Sequence, residues 1–246
     1  VLTPGDADRV YMNTLAVQGD KLGLSWVYRL YSTDDFVRNE GLFVARSGDR
    51  GRTWSELDGT PLVLPVNRGT VPATVDVPSS LQPLNQAASA FGPDGRLYLT
   101  YYAEDSAGIH QIFLVTVMPD GSKAGPTAVS DNRERFDLLG RGTLVFPLSR
   151  PQIAVSEHFI HVFYRQDDKI VFASRPVDAT TTPWVYSRFD VGPLGAWEPT
   201  YDRDSWRENR RIFVYVQEAR QGLLDTEDEG EPSRARVLVF AERTTR

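Results

Sequence analysis

Short runs of β-branched and aromatic residues recur along the chain between clusters of Gly, Pro, Asp and Asn, while helical spacing of apolar positions is almost absent. That is the pattern of an all-β chain. The best strand runs are Leu22 to Tyr28, Gly41 to Arg46, Leu97 to Tyr102, Ile112 to Val117, Ile160 to Tyr164, Ile170 to Ser174, Ile212 to Val216 and Val237 to Ala241. They come in pairs. Each pair opens with an apolar strand ending on an aromatic or polar couple (Tyr28-Arg29, Tyr101-Tyr102, Tyr164-Arg165, Val216-Gln217) and continues through a polar loop into a second strand. Copies spaced by roughly fifty to seventy-five residues predict the blades of a β-propeller, with a β-sandwich as the alternative.

The innermost strand of a blade and its neighbour are antiparallel, so the start of the first and the end of the second share one end of their hairpin. Unusual residues fill both places. Before the paired strands stand Tyr11-Met12-Asn13, Asn85-Gln86, Arg150-Pro151-Gln152 and Glu198-Pro199-Thr200-Tyr201-Asp202, and after them Arg29, Tyr102, Arg165 and Gln217. One mouth of the channel is therefore expected to gather Tyr, Asn, Gln, Arg and carboxylates, a surface suited to an anionic sugar. The bland alternative is a satisfied polar network bracing blade to blade.

Composition narrows the classes. The 246 residues are 41% hydrophobic and 24% charged and contain no Cys, which excludes a disordered chain, a disulfide scaffold, thiolate catalysis and Cys-type zinc sites. No apolar run is long enough for a membrane span. The net charge is −6, and Lys occurs only at 21, 123 and 169, so 24 of the 27 cations are Arg. A net-acidic chain without a basic run is a poor nucleic-acid binder, whereas Arg offers a planar fork for carboxylate or sulfate.

Ser47-Gly48-Asp49-Arg50-Gly51-Arg52-Thr53-Trp54 fits Ser-x-Asp-x-Gly-x-Thr-Trp, the Asp-box of bacterial neuraminidase repeats. Its carboxylate is expected to accept turn amides, Gly51 to take positive φ, and Trp54 to pack under the blade. The stretches Asn85-Gln86, Phe136 to Thr143, Ser149-Arg150-Pro151-Gln152-Ile153 and Gly195-Ala196-Trp197-Glu198-Pro199-Thr200-Tyr201-Asp202, ending in Trp206, resemble the bacterial neuraminidase-repeat proteins that include ulvan lyases and related rhamnose–glucuronate enzymes. The resemblance implies a single β-propeller domain over residues 1–246 or its C-terminal portion, seven-bladed when complete, with about four blades in this chain. Missing amino-terminal blades or a second chain would complete the ring. It also implies a secreted or periplasmic enzyme that breaks a bond to a uronic acid by β-elimination.

In ulvan lyases a Tyr and an Arg lie about seventeen residues apart in the site, and Tyr11 and Arg29 fit that pattern here. β-Elimination needs the uronate carboxylate neutralised, a base for the C5 proton and an acid for the leaving oxygen. Arg29 is the candidate for neutralisation and Tyr11 for acid or base. A phenol, with an ordinary pKa of about 10, serves only where nearby cations lower it. The substrate-binding candidates are Asn13, Asn85, Gln86, Arg150, Gln152, Arg165, Glu198 and Tyr201, with Arg150 and Arg165 expected to hold a sulfate or second carboxylate.

Other readings stay open beside this one. Glu198 and Asp202 are the acid–base pair of a glycoside hydrolase releasing rhamnose or a related sugar, or else Glu198 braces an Arg such as Arg150 and Asp202 caps a turn, which is favoured. A non-catalytic glycan-binding propeller is the third reading. The histidines at 110, 158 and 161 read as structural or exposed, His110 keeping a minor claim to catalysis. No cofactor is required and no catalytic metal is expected. The acidic run Asp225 to Glu231 reads as a solvated loop, with a structural calcium site as its alternative.

Overall fold

The structure, a computed structural model, describes residues 9–30, 38–136, 146–179, 181–220 and 231–242. Residues 137–143 of the family-like stretches and residues 225–230 of the acidic run, with its calcium alternative, lie outside the described residues. The fold is all-β, a β-propeller whose described sheets are blades, and the chain divides into two compact units, residues 1–141 and 142–246.

The first unit holds two sheets. In the first, β1 (Arg9–Met12) and β2 (Ala16–Gln18) pair with β3 (Lys21–Arg29), which pairs with β4 (Asn39–Ser47). All these pairings are antiparallel, and β1 and β2 run along β3 as one interrupted strand. The second sheet is ordered β5 (Ser89–Phe91), β6 (Leu97–Glu104), β7 (His110–Val117) and β8 (Lys123–Ala128). The predicted strands Leu22 to Tyr28, Gly41 to Arg46, Leu97 to Tyr102 and Ile112 to Val117 are all present, each slightly longer than its apolar run. Gly23 to Tyr28 of β3 and Leu97 to Ala103 of β6 are buried without a break. A near-continuous apolar run marks a strand covered on both faces, as the inner strands of stacked blades are. Leu42, Val44, Leu97, Leu99 and Val115 share one core, and Trp26, Tyr28, Phe43 and Trp54 form another.

The second unit repeats the scheme. Its first sheet is β9 (Gln152–Val155), β10 (Phe159–Gln166), β11 (Lys169–Pro176) and β12 (Val185–Phe189), in spatial order β12-β11-β10-β9. Its second is β13 (Thr200–Tyr201), β14 (Arg211–Val216) and β15 (Arg236–Ala241). Phe163, Phe172, Trp197, Trp206, Ile212 and Val214 fill the core of this unit. One face of the β13–β15 sheet is left open: Tyr215, Val237 and Val239 are 45%, 59% and 54% exposed.

Against the expectation of almost no helix, residues Arg203–Asn209 form the seven-residue α1. Its cap is local. The Asp202 carboxylate accepts the amides of Asp204 and Ser205, each at 3.0 Å. Those amide bonds, Ser205 first, and the Ser205 hydroxyl hold the Asp202 carboxyl below its ordinary range. Asp202 therefore caps a helix, the structural role favoured for it over glycosidase chemistry.

The Ser47–Trp54 turn closes on itself. Asp49 Oδ1 accepts from the Thr53 amide at 2.9 Å and from Ser47 Oγ at 2.8 Å, and Asp49 Oδ2 accepts from Thr53 Oγ1 at 2.7 Å. Gly51 sits at φ +84°, where a Cβ would press on Leu22 at 3.3 Å, and the Trp54 indole donates back to the Gly51 carbonyl at 3.1 Å. Bonds from Thr53 and then Ser47 pull the Asp49 carboxyl down to about 2.

Candidate functional site

Tyr11 and Arg29 meet. The antiparallel register sets Tyr11 opposite Val27 and Arg9 opposite Arg29. Between Trp26 and Tyr28 the pairing with β4 shifts, the extra residue lying on β4, while the pairing of β3 with β1 runs on unbroken. Successive residues of β3 therefore face opposite ways, and Tyr28 faces inward, fully buried and edge-on to Phe43 at 5.0 Å. Arg29 turns the other way, its guanidinium carbon 4.6 Å from the centre of the Tyr11 ring. That is a cation–π stack. Arg29 Nε donates to Asn39 Oδ1 at 3.1 Å and Arg29 Nη2 to Asn85 Oδ1 at 2.7 Å. Both carboxamides are buried, and they and the aromatic face are among the groups that hold the half-buried cation.

The other predicted residues of this unit do different work. Asn13 is buried; its Nδ2 donates to Ser25 Oγ at 3.0 Å and its Oδ1 accepts the Ala87 amide at 2.8 Å, tying the first sheet to the strand entering the second. This is the blade-bracing alternative. Gln86 is exposed at φ 62°. Tyr102 is buried beside His110, which is itself fully buried, stacks on Phe136 at 4.5 Å and places Nε2 3.2 Å from the Gln82 carbonyl.

In the second unit Arg150 and Glu198 form an ion pair, Nη1 to Oε1 at 2.7 Å, with side chains 19% and 38% exposed. Glu198 thus braces Arg150, as the favoured alternative has it. Arg165 is buried, and its fork is spent on backbone: Nε donates to the Trp197 carbonyl at 3.0 Å, Nη1 to Pro147 at 3.3 Å and Nη2 to Phe146 at 2.6 Å. The expectation that Arg165 grips a sulfate or carboxylate does not fit this geometry, because its donors already satisfy buried carbonyls. Gln152 Oε1 accepts from Arg203 Nη2 at 3.1 Å, and the Tyr201 hydroxyl donates to the Ile153 carbonyl at 2.8 Å. Burial pushes the Tyr201 phenol up to about 12. Gln217 donates to the Ser233 carbonyl at 3.1 Å.

Two of the family-like stretches, those at 149–153 and 195–202, supply partners of Arg165. Ser149 Oγ accepts the Arg165 amide at 2.8 Å, and the Trp197 indole donates to the Tyr215 carbonyl at 3.0 Å. Gly195 sits at φ +59° with a Cβ position only 2.4 Å from the Ala219 carbonyl oxygen, so any larger residue would clash with backbone.

Two arrangements were invisible to spacing. Asn39 stands opposite Arg29 only through the β3–β4 register. His161, read as structural, lies between Ser174 Oγ (2.8 Å from Nδ1) and the Glu242 carboxylate (3.2 Å from Nε2), and so ties β10 and β11 to the residue after β15. Burial pushes the Glu242 carboxyl up, but hydrogen bonds from His161 and Ser156 and the attraction of His161 and His158 outweigh it and hold the group below its ordinary range. Thr200, Tyr201, Asp202, Ser205, Phe213, Tyr215 and Val237 line an open cleft of about 450 Å³ against the exposed face of the β13–β15 sheet. Among the described residues no group of three or more His, Asp or Glu side chains is placed to hold a metal ion, and no helix is long and apolar enough to cross a membrane.

Comparison with solved structures gives similar folds in polysaccharide lyases. A PL25 ulvan lyase matches with a TM-score of 0.61 at 16% identity, over 96% of this chain and 53% of that one. A PL25 ulvan lyase bound to -[GlcA(1-4)Rha3S]- matches at 0.59 and 16%, over 96% and 52%. The polysaccharide lyase Uly1 matches at 0.56 and 12%, over 95% and 46%. The chain therefore spans about half the length of these structures. No curated protein matches it. A sequence model described as a BNR repeat-containing family member matches residues 1–123, half of the chain, and the chain belongs to that family.

Proposed function

We propose that the chain is part of a polysaccharide lyase that cleaves a uronate-containing, rhamnose-rich polymer, ulvan or an ulvan-like relative with or without sulfate, by β-elimination. The observation that carries this reading is the Arg29 guanidinium stacked on Tyr11 and held by Asn39 and Asn85. The likeness to ulvan lyases, one of them bound to a glucuronate–rhamnose sulfate oligosaccharide, supports it. Arg29 neutralises the uronate carboxylate, so that negative charge spreading from C5 onto that carboxylate in the transition state meets a fixed cation. Tyr11, beside it, exchanges protons: a base removes the C5 proton, the electron pair forms the C4–C5 double bond, the C4–oxygen bond breaks, and an acid protonates the leaving oxygen. Arg150, aligned by Glu198, is the candidate contact for a further anionic group of the polymer, while Arg165 and Asn13 act as braces.

The exposed apolar face carrying Tyr215, Val237 and Val239 supports a further part of this reading, that more blades, from a longer chain or a second one, complete the propeller. The test is incubation of the full protein with ulvan while following the ultraviolet absorbance of an unsaturated uronate. Absorbance that appears with the parent and disappears with Arg29→Ala supports the lyase. Reducing sugar released without absorbance would point to a hydrolase instead, and binding without either product to a glycan-binding propeller.

A further inference from the structure

We infer that Gln86 is a specificity-determining residue of the Arg29 site, its exposed carboxamide reading hydroxyl groups of the sugar unit whose carboxylate Arg29 takes. The inference deepens the reading above and rests on Arg29 being the group that meets the uronate carboxylate. It starts from a backbone cost. Gln86 sits at φ 62°, in the left-handed region where a Cβ crowds the carbonyl oxygen that follows it.

Six non-glycine residues adopt that region among the described residues. Four of them use the side chain within the fold. Arg50 Nε donates to Asp20 Oδ1 at 2.6 Å, Gln82 Nε2 to Glu104 Oε1 at 2.9 Å and Arg210 Nη1 to the Trp206 carbonyl at 3.2 Å, while Asp168 Oδ1 accepts the Leu194 amide at 2.8 Å. Asp167 is of the residue type that tight turns favour at such angles. Gln86 fits neither case. It is exposed, and among the described residues neither its backbone nor its side chain makes a hydrogen bond.

The neighbours impose the conformation. The Pro83 carbonyl accepts from Asn39 Nδ2 at 2.7 Å, the Leu84 amide donates to the Tyr102 carbonyl at 3.0 Å, and Asn85 Oδ1 accepts from Arg29 Nη2 at 2.7 Å. On the far side the Ala87 amide donates to Asn13 Oδ1 at 2.8 Å and the Ala88 amide to Thr100 Oγ1 at 3.0 Å. Glycine would satisfy the fold at less cost in a position pinned on both sides and bonded to nothing itself. A long polar side chain there is accounted for by what it meets outside the fold. Consecutive Cα atoms lie about 3.8 Å apart, so Gln86 stands next to the amide that touches Arg29, beside the place a ligand of Arg29 would take. A carboxamide both donates and accepts, as do the hydroxyls of a sugar ring. Arg29 then recognises the charge, and Gln86 tells one arrangement of hydroxyls from another.

The test compares the parent full chain with Q86G, Q86N and R29A by calorimetric titration with glucuronate–rhamnose oligosaccharides of ulvan, by ulvan turnover and by thermal unfolding. Q86G is expected to unfold at the parent's temperature or above it, because the strain released outweighs the added freedom of the unfolded chain. It is expected to bind the oligosaccharides about tenfold more weakly, the worth of about one hydrogen bond. In turnover its KM should rise by a similar factor with kcat within about twofold of the parent, the mark of binding lost equally from ground and transition states. Q86N keeps a carboxamide on a residue type that tolerates this backbone and is expected to lose only about threefold. A Q86G chain that binds as tightly as the parent, or one that unfolds several degrees lower and loses kcat as well, overturns the inference and leaves the lyase reading standing. Equal binding by R29A and the parent overturns the role of Arg29 on which the inference rests, and that titration tells the two failures apart.

Discussion

Arg29 closes its strand and Arg165 stands one residue from the end of the equivalent strand, each strand the second of its sheet, yet the two arginines are used in opposite ways. Arg165 is buried and donates to three backbone carbonyls. Arg29 is half-buried, donates to two side-chain amides and lies on a tyrosine ring. Position in the repeat therefore does not define a role; the source of the acceptors does. Backbone carbonyls inside a fold have nowhere else to turn, so an arginine that serves them is structural. Amide side chains can be replaced without breaking the chain's own ladder, so an arginine held by them can be tuned for a ligand.

The contrast can be broken most forcefully at Arg165. Arg165→Ala is expected to lower the unfolding free energy by about 3–5 kcal/mol, since three carbonyls lose their donor at once, as measured by urea denaturation. Arg165→Lys recovers little of this, because a single ammonium cannot span three acceptors fixed by a planar fork. A loss of only about 1 kcal/mol, the typical effect of a point mutation, would place Arg165 outside the framework and undo the comparison.

Arg29→Ala is the counterpart. It is expected to reduce ulvan turnover at least about 100-fold while moving the unfolding free energy by no more than about 1 kcal/mol, with rate and denaturation measured on one preparation. A large loss of stability would make the two arginines alike.

Acid sharpens the difference between the units. The folded Glu242 carboxyl is held below its ordinary value of 4.5, so its contribution is full above that value and lost as pH falls through the lowered one. Acid unfolding of the parent should therefore steepen below the ordinary glutamate range, and Glu242→Gln should flatten that part of the curve; superimposable curves would remove the His161–Glu242 tie from the account. The smallest effect belongs to Asp49. Its carboxyl is depressed from 3.8 to about 2, so the turn keeps its bonds at neutral pH and releases them as pH falls across that window. Trp54 fluorescence should report a local change there, absent in Asp49→Asn.

Much of this was legible in the sequence. The strands were, because a strand covered on both faces must be apolar throughout, and Leu97 to Ala103 obeys that rule. That Tyr11 and Arg29 share one end of their hairpin followed from antiparallel pairing, while their pairing as a site came from the family resemblance. The Asp202 cap was legible because a cap is local in sequence. The α1 helix was not, since seven residues with Trp206 as the one buried side chain carry no periodic signal. Asn39 escaped because its partner is set by a register that shifts within β3 and β4. Arg165 misled for the same kind of reason: its acceptors at positions 146, 147 and 197 are gathered by the fold, and nothing in Tyr164-Arg165 distinguishes a strut from a ligand clamp.

Two groups that hold Arg29 come from different places, Asn39 from the first position of β4 and Asn85 from the segment that leads into β5. An engineer wishing to alter what this site accepts should therefore leave the arginine alone and vary those two amides, which help to seat its guanidinium. Libraries randomised at 39 and 85 with Arg29 fixed would sample new specificities while preserving the scaffold that makes any of them possible.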